Sequence, residues 1–478
     1  MQDTPWGVMA IVLPLGGAMA CFLWPRRALP LGLVTALGIV ACVAGLGWQV
    51  VEQGAQRYAL GGWGAPLGID LYADGLSLLM LMVTAVVGLG VSVYSSSYFE
   101  HKTAAAFWPL WLFLWAALNA LFLSADIFNL YVTLELMGLS AVALVALAGG
   151  ADALTAAMRY LLVSLLGSLC YLLGVALLYH SFGSVDIAIL AQRMESSPAV
   201  WAAMGLMSAG LLLKMALFPL HFWLPPAHAS APAPVSALLS ALVVKASFYI
   251  LLRLWLDVFQ PGSEAPGQLL GLLGGTAVLW GGIQALRQRR LKMLIAYSTV
   301  AQLGYLFLAF PLATSIAWKG ALYLLLSHAM AKAAMFMTAG NILRCCGHDR
   351  IVDLDRVAQR LPLTLTAFSL AGVSSMGLPP SGGFIGKWLL LDAALHSGQW
   401  WWALILILGG LLAAAYVFKV IGYAFTPAGV THEDRVVPAG MEWTALLLAL
   451  GSVLLGLFTP WPLALLDIGL PFGGGYAG

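Results

Sequence analysis

Apolar runs of 18 or more residues follow one another along the whole chain, separated by short polar stretches. Each is long enough to cross a hydrocarbon core about 30 Å thick as a helix. The pattern predicts about fourteen spans, at 7–24, 29–48, 74–98, 104–123, 126–148, 156–181, 200–230, 234–256, 267–286, 292–311, 314–342, 362–396, 400–425 and 441–465. Two of them exceed a straight crossing and carry their own breaks. Span seven contains Phe218-Pro219-Leu220-His221-Phe222-Trp223-Leu224-Pro225-Pro226, and span twelve contains Gly377-Leu378-Pro379-Pro380-Ser381-Gly382-Gly383. Proline removes a backbone donor and clashes with the preceding turn, so both predict helices whose freed carbonyls line a cavity inside the protein. Ordinary proline kinks are the alternative. The breaks lie five spans apart, which predicts a repeat of spans four to eight by nine to thirteen, and an odd-numbered repeat inverts its topology.

Composition agrees with an all-α polytopic membrane protein: 62% of the 478 residues are hydrophobic and 9% charged, with a formal net charge of +2. No basic or acidic block suggests a nucleic-acid partner. The five cysteines, Cys21, Cys42, Cys170, Cys345 and Cys346, show no CxxC spacing, so neither an iron–sulfur cluster nor a structural zinc is expected. No phosphate-binding or dinucleotide-binding glycine motif is present. The expectation is a chain without cofactor or metal, powered by an ion gradient or by a partner. The first apolar run has no basic leader and is followed by Arg26 and Arg27, so it reads as a retained span.

Placing the N-terminus outside assigns 14 of the 22 Lys and Arg residues to inner loops and four, Arg57, Arg193, Arg253 and Lys319, to outer ones. Both termini then lie on the outer, periplasmic side of a bacterial cytoplasmic membrane. The remaining four are Lys214, Lys245, Lys332 and Lys387, all deep inside spans. Arginine cannot lose its proton at physiological pH, whereas a desolvated lysine can. A charge at this depth costs about 2.5–3.5 kcal/mol on insertion scales, which calls for a function. Snorkelling and a structural ion pair are the plainer account.

Glu135 is the one carboxylate near the middle of a span, and Asp392 sits nearer a span end. The expected partner of Glu135 is Lys214. A carboxylate beside a lysine favours the ammonium, so moving the pair together or apart changes the lysine's hold on its proton. Lys245 follows as a deeper carrier. His328 and Lys332, at i and i+4, share a helical face, and histidine titrates near neutrality. Lys387 holds in the second half the place of Lys214 in the first. His221 and His228 read either as a watery connection to the inner side or as packed loop histidines. Ser236, Ser240, Tyr249, Tyr297, Ser298, Thr299 and Gln302 read as water holders or helix contacts.

These residues carry a resemblance. Asp126-Ile127-Phe128-Asn129-Leu130-Tyr131 through Glu135, Lys214 to Pro226, Ala231-Pro232-Ala233-Pro234-Val235-Ser236 to Lys245, His328 to Lys332, and Gly377 to Lys387 resemble the antiporter-like membrane subunits of Mrp-type sodium/proton antiporters, respiratory complex I and membrane-bound hydrogenases. Within that family the chain looks most like the Mrp D subunit. The resemblance implies N-terminal helices at 1–103, a first antiporter half at 104–256, a second at 267–425, and helix 14 with a tail at 441–478. It implies a proton relay through Glu135, Lys214, Lys245, His328 and Lys387, to which the residue reading adds Lys332. It also implies work inside a larger membrane assembly, coupling protons to sodium or another monovalent cation. The alternative is a proton-pumping subunit of a redox-driven, complex I-like or hydrogenase-type translocase. Ion translocation is the only activity expected of this chain itself.

Overall fold

The computed structural model describes residues 5–259, 264–430, 432 and 435–469. Its helices are α1 (Trp6–Leu23), α2 (Ala28–Gln53), α3 (Gly75–Tyr98), α4 (His101–Leu123), α5 (Ile127–Ala146), α6 (Gly150–Phe182), the short α7 (Ile187–Arg193), α8 (Pro198–Lys214), α9 (Leu224–Ser230), α10 (Ala233–Leu238), α11 (Val244–Asp257), α12 (Glu264–Arg287), α13 (Leu291–Leu306), α14 (Ala309–Leu312), α15 (Ser315–Cys346), α16 (Val357–Arg360), α17 (Pro362–Met376), α18 (Gly382–His396), α19 (Trp400–Phe425), α20 (Ala439–Leu454) and α21 (Pro460–Leu465). Among the described residues, eleven helical stretches are long and apolar enough to cross a membrane, and α8, α17 and α20 are shorter apolar helices. Strands β1 (Gln56–Ala59) and β2 (Asp70–Ala73) form an antiparallel hairpin before α3. The tail 470–478 lies outside the described residues.

Local chemistry sets the helix ends. Asp74 caps α3 reciprocally with Ser77, and Asp126 caps α5 through the Asn129 amide at 2.6 Å, each satisfying a donor that the first turn leaves free. Ser197 and Pro198 open α8, and Gly377, at φ +83°, closes α17 in a conformation that suits glycine.

Of the two broken spans, the seventh differs from its expected outline. Helix α8 stops at Lys214, ahead of the prolines, and residues 215–223 run as turns before α9. The Trp223 indole donates to the Leu213 carbonyl at 2.9 Å, satisfying an acceptor that the break frees. Pro225 and Pro226 fall in the first turn of α9, where a missing amide costs nothing. Span twelve breaks where its prolines predict, between α17 and α18. A third irregularity has no proline or glycine behind it: a π turn at Leu239–Val243 joins α10 to α11.

Backbone pairing recurs in the two halves. Asp126 bridges Asp186 just before α5 and α7, and Arg290 bridges Arg350 just before α13 and after α15, with the same separation along the chain. The first pair lies on a face rich in aspartates, where Arg57 binds Asp70 and Asp186 and Arg253 binds Asp74. Pro5 and Trp6 share a cavity with Arg57 and Ala73, and the Gly75 amide donates to the Ile468 carbonyl at 2.8 Å. The first and last described stretches therefore share this face. The second pair lies on the opposite, arginine-rich face.

Candidate functional site

Close approach of α6 to α8 builds the first part of the site. A Cβ on Gly210 would stand 2.3 Å from the Gly167 carbonyl oxygen, so only glycine permits the contact. On α5, a Cβ at Gly138 would stand 2.7 Å from Ser164 Oγ and 3.6 Å from Lys214 Nζ. With that room kept open, Lys214 Nζ donates to Glu135 Oε1 at 3.1 Å and to Ser164 Oγ at 3.0 Å. Ser168 donates a short hydrogen bond to the same Glu135 oxygen. Lys214 is buried, whereas the Glu135 side chain keeps 21% of its surface. The carboxylate thus stands at the rim of the bundle with its cation inside.

The other three lysines converge on α13. Lys245 follows the π turn with one residue between, and its Nζ donates to the Ser240 carbonyl at 2.7 Å. A π turn spreads the backbone ladder and frees such acceptors. Ser240 Oγ lies 2.8 Å from Thr299 Oγ1 on α13, which donates to the Ile295 carbonyl at 3.0 Å. Lys332 Nζ reaches that same carbonyl at 3.5 Å and makes a short bond to Ser298 Oγ. Met335 Sδ, 3.9 Å from Lys332 Nζ, accepts from Ser375 Oγ at 4.0 Å. Lys387 Nζ closes the series on the carbonyls of Ser375 and Met376, at 2.8 and 3.1 Å, and lies 4.4 Å from the centre of the Tyr305 ring. Polar contacts thus tie Lys245, Lys332 and Lys387 together residue by residue, with Ser240 and Ser375 each taking part through both its carbonyl and its hydroxyl. Among the described residues no direct hydrogen bond joins Lys214 to Lys245, although α8 packs on α11.

His328 is buried on α15 with Nε2 unpartnered. Neighbouring Ser327 bonds Ser374, on α17 just ahead of the break of span twelve, at 2.7 Å. His228 is fully buried, stacked on Phe336 at 4.6 Å, with neither ring nitrogen partnered. His221 is half-buried and stacks on Phe218. Of the candidate water holders, Tyr249 sits elsewhere, donating to the Phe122 carbonyl and accepting from Arg253.

Two basic residues counted in loops are buried. Lys292, in the first turn of α13, donates to the carbonyls of Ala229 and Ala231 where α9 ends. Arg253, inside α11, forks onto both oxygens of Asp74, at 2.6 and 2.8 Å. Both stand near the ends of apolar runs, and only the fold shows that other segments cover them. Asp126, which caps α5, lies beside Asp186 and Asp70.

A family model described as NADH:quinone oxidoreductase/Mrp antiporter, TM matches residues 124–413. A second, described as NADH-Ubiquinone oxidoreductase (complex I), chain 5 N-terminus, matches residues 64–107. The chain is 37% identical to the N subunit of the NADH-quinone oxidoreductase of Desulforudis audaxviator, covering 94% of this chain and 95% of that one. It is 28% identical to the D subunit of the Na(+)/H(+) antiporter of Bacillus subtilis, covering 95% and 94%. Among solved structures it superposes on a chain of the Mrp complex from Dietzia sp. with a TM-score of 0.88 and 25% identity, over 97% of this chain and 98% of that one. The first model spans more than half of the chain and includes every lysine of the row, and the chain belongs to the NADH:quinone oxidoreductase/Mrp antiporter family of multi-pass membrane subunits.

Proposed function

We propose that this chain is the proton-translocating subunit of a multisubunit monovalent cation (sodium)/proton antiporter. Protons pass along Glu135, Lys214, Lys245, His328, Lys332 and Lys387. The observation that carries the reading is the row itself: four buried ammonium groups, three of them joined through α13, with a carboxylate beside the fourth. Each rests on a carbonyl, a hydroxyl or one carboxylate that lies partly at the rim, so each can be discharged without stranding a buried anion. The similarity to the Bacillus subtilis antiporter chain supports the cation/proton assignment. The asymmetry of Lys and Arg supports placement in a bacterial cytoplasmic membrane with both termini outside. The proposal includes fourteen crossings, with 104–256 and 267–425 as inverted halves flanked by 1–103 and 441–478. The matching Asp126/Asp186 and Arg290/Arg350 bridges support that symmetry.

A second reading is a proton-pumping subunit of a redox-driven complex, favoured by the 37% identity to the NADH-quinone oxidoreductase chain against 28% to the antiporter chain. Purifying the assembly through this protein separates the two: further small antiporter subunits support the first, flavin- or iron–sulfur-bearing partners the second. In membrane vesicles, Lys214→Ala and Glu135→Ala abolish proton-coupled transport while the complex still assembles. Full transport by either variant would falsify the relay in both readings.

A further inference from the structure

We propose that a basic cavity on the arginine-rich face seats the phosphate headgroup of an anionic phospholipid, with Arg159, Arg287 and Arg289 as its donors. The cavity, about 630 Å³, lies between the start of α6, the end of α9 and the turn from α12 to α13. Four arginines line it, Asp152 is the one acid in its wall, and Arg290 is already held by Asp349 at 2.8 Å. The other three guanidinium groups are exposed. Three cations facing one carboxylate across a shared cavity call for an anion. Phosphate oxygens match the planar guanidinium fork.

The surroundings favour a lipid over a free ion. Below the arginines, α6 turns Met158 and Leu162 outward and α12 turns Trp280 and Ile283 outward, with Phe222 exposed in the break of span seven. A phosphate held at the span ends leaves its acyl chains against these apolar side chains, at the depth where basic pockets between helices meet headgroups. The same positive charge makes the cavity a poor mouth for protons or sodium. Ala229, whose carbonyl accepts from Lys292, lines its wall, and none of the four lysines of the row does, so this site is separate from the row.

The test uses the assembled complex, delipidated in detergent and titrated with phosphatidylglycerol or with phosphatidylcholine of the same chains, with bound lipid counted by native mass spectrometry. Wild type retains phosphatidylglycerol preferentially. Arg159→Gln alone lowers its affinity about fivefold, and the triple variant with Arg287→Gln and Arg289→Gln on the order of 100-fold, at about 1 kcal/mol per arginine. Arg26→Gln with Arg27→Gln, on another loop, changes nothing. Equal retention of the two lipids, or unchanged retention in the triple variant, overturns the proposal. So does displacement of phosphatidylglycerol by millimolar inorganic phosphate, which marks a free-ion site. Loss of a neighbouring protein from the triple variant with lipid retention unchanged overturns it in favour of an acidic protein segment. Should the triple variant fail to assemble, Arg159→Gln carries the test.

Discussion

Lys214 stands just ahead of the break in its span and Lys387 just beyond the break in the other, and their ammonium groups are held in different ways. Lys214 ends α8 and meets a full negative charge on another helix, Glu135 of α5. Lys387 lies beyond its break in α18 and turns back onto the last carbonyls of α17 and the face of Tyr305. A helix C-terminus offers about half an elementary charge, and an aromatic face offers a quadrupole. The difference separates an adjustable counter-charge from a fixed one. Glu135 can move relative to Lys214 whenever α5 shifts against α8. The carbonyls at Ser375 and Met376 belong to the broken span itself and cannot leave Lys387 unless that break is rebuilt.

The largest effect expected is that of Lys387→Ala, which takes proton-coupled transport in vesicles to background, because no other cationic side chain reaches those carbonyls among the described residues. Glu135→Gln keeps the shape and hydrogen bonding of the partner while removing its charge. It should lower the transport rate at least about tenfold, equivalent to about 1.4 kcal/mol; a wild-type rate would break the contrast between the two lysines. Ser298→Ala removes the hydroxyl under Lys332 and should slow transport by roughly three- to tenfold, the scale of the net contribution of one typical hydrogen bond. Smallest is Tyr305→Leu, expected to cost about two- to fivefold through the lost ring face. Tyr305→Phe, which keeps the ring, should match wild type; equal rates for the two would remove the ring from the account.

What the sequence showed depended on how local the cause was. The break at Gly377–Ser381 announced itself because proline and glycine act on the backbone where they stand. The early end of α8 did not, since Trp223 must fold back onto Leu213 for the turns at 215–223 to satisfy their carbonyls. The π turn before Lys245 lies in an apolar stretch with no breaker, and its freed carbonyl becomes visible only with Lys245 resting on it. Counting charges in apolar runs picked out Lys214, Lys245, Lys332 and Lys387, because a charge among aliphatic residues stands out. The same count misplaced Lys292 and Arg253, whose cover comes from α9 and from Asp74, distant in sequence. The contact of Glu135 with Lys214 needs the glycines at 138, 167 and 210, a requirement of packing that no single stretch displays.

Lys245→Arg probes the heart of the account, since it preserves a buried positive charge and its hydrogen-bonding reach while removing the capacity to give up a proton. In the assembled complex, reconstituted into vesicles, the account predicts normal assembly with proton-coupled transport at background. An arginine variant that assembles and transports at the wild-type rate would show that the buried charge, and not its release of a proton, is what the protein uses.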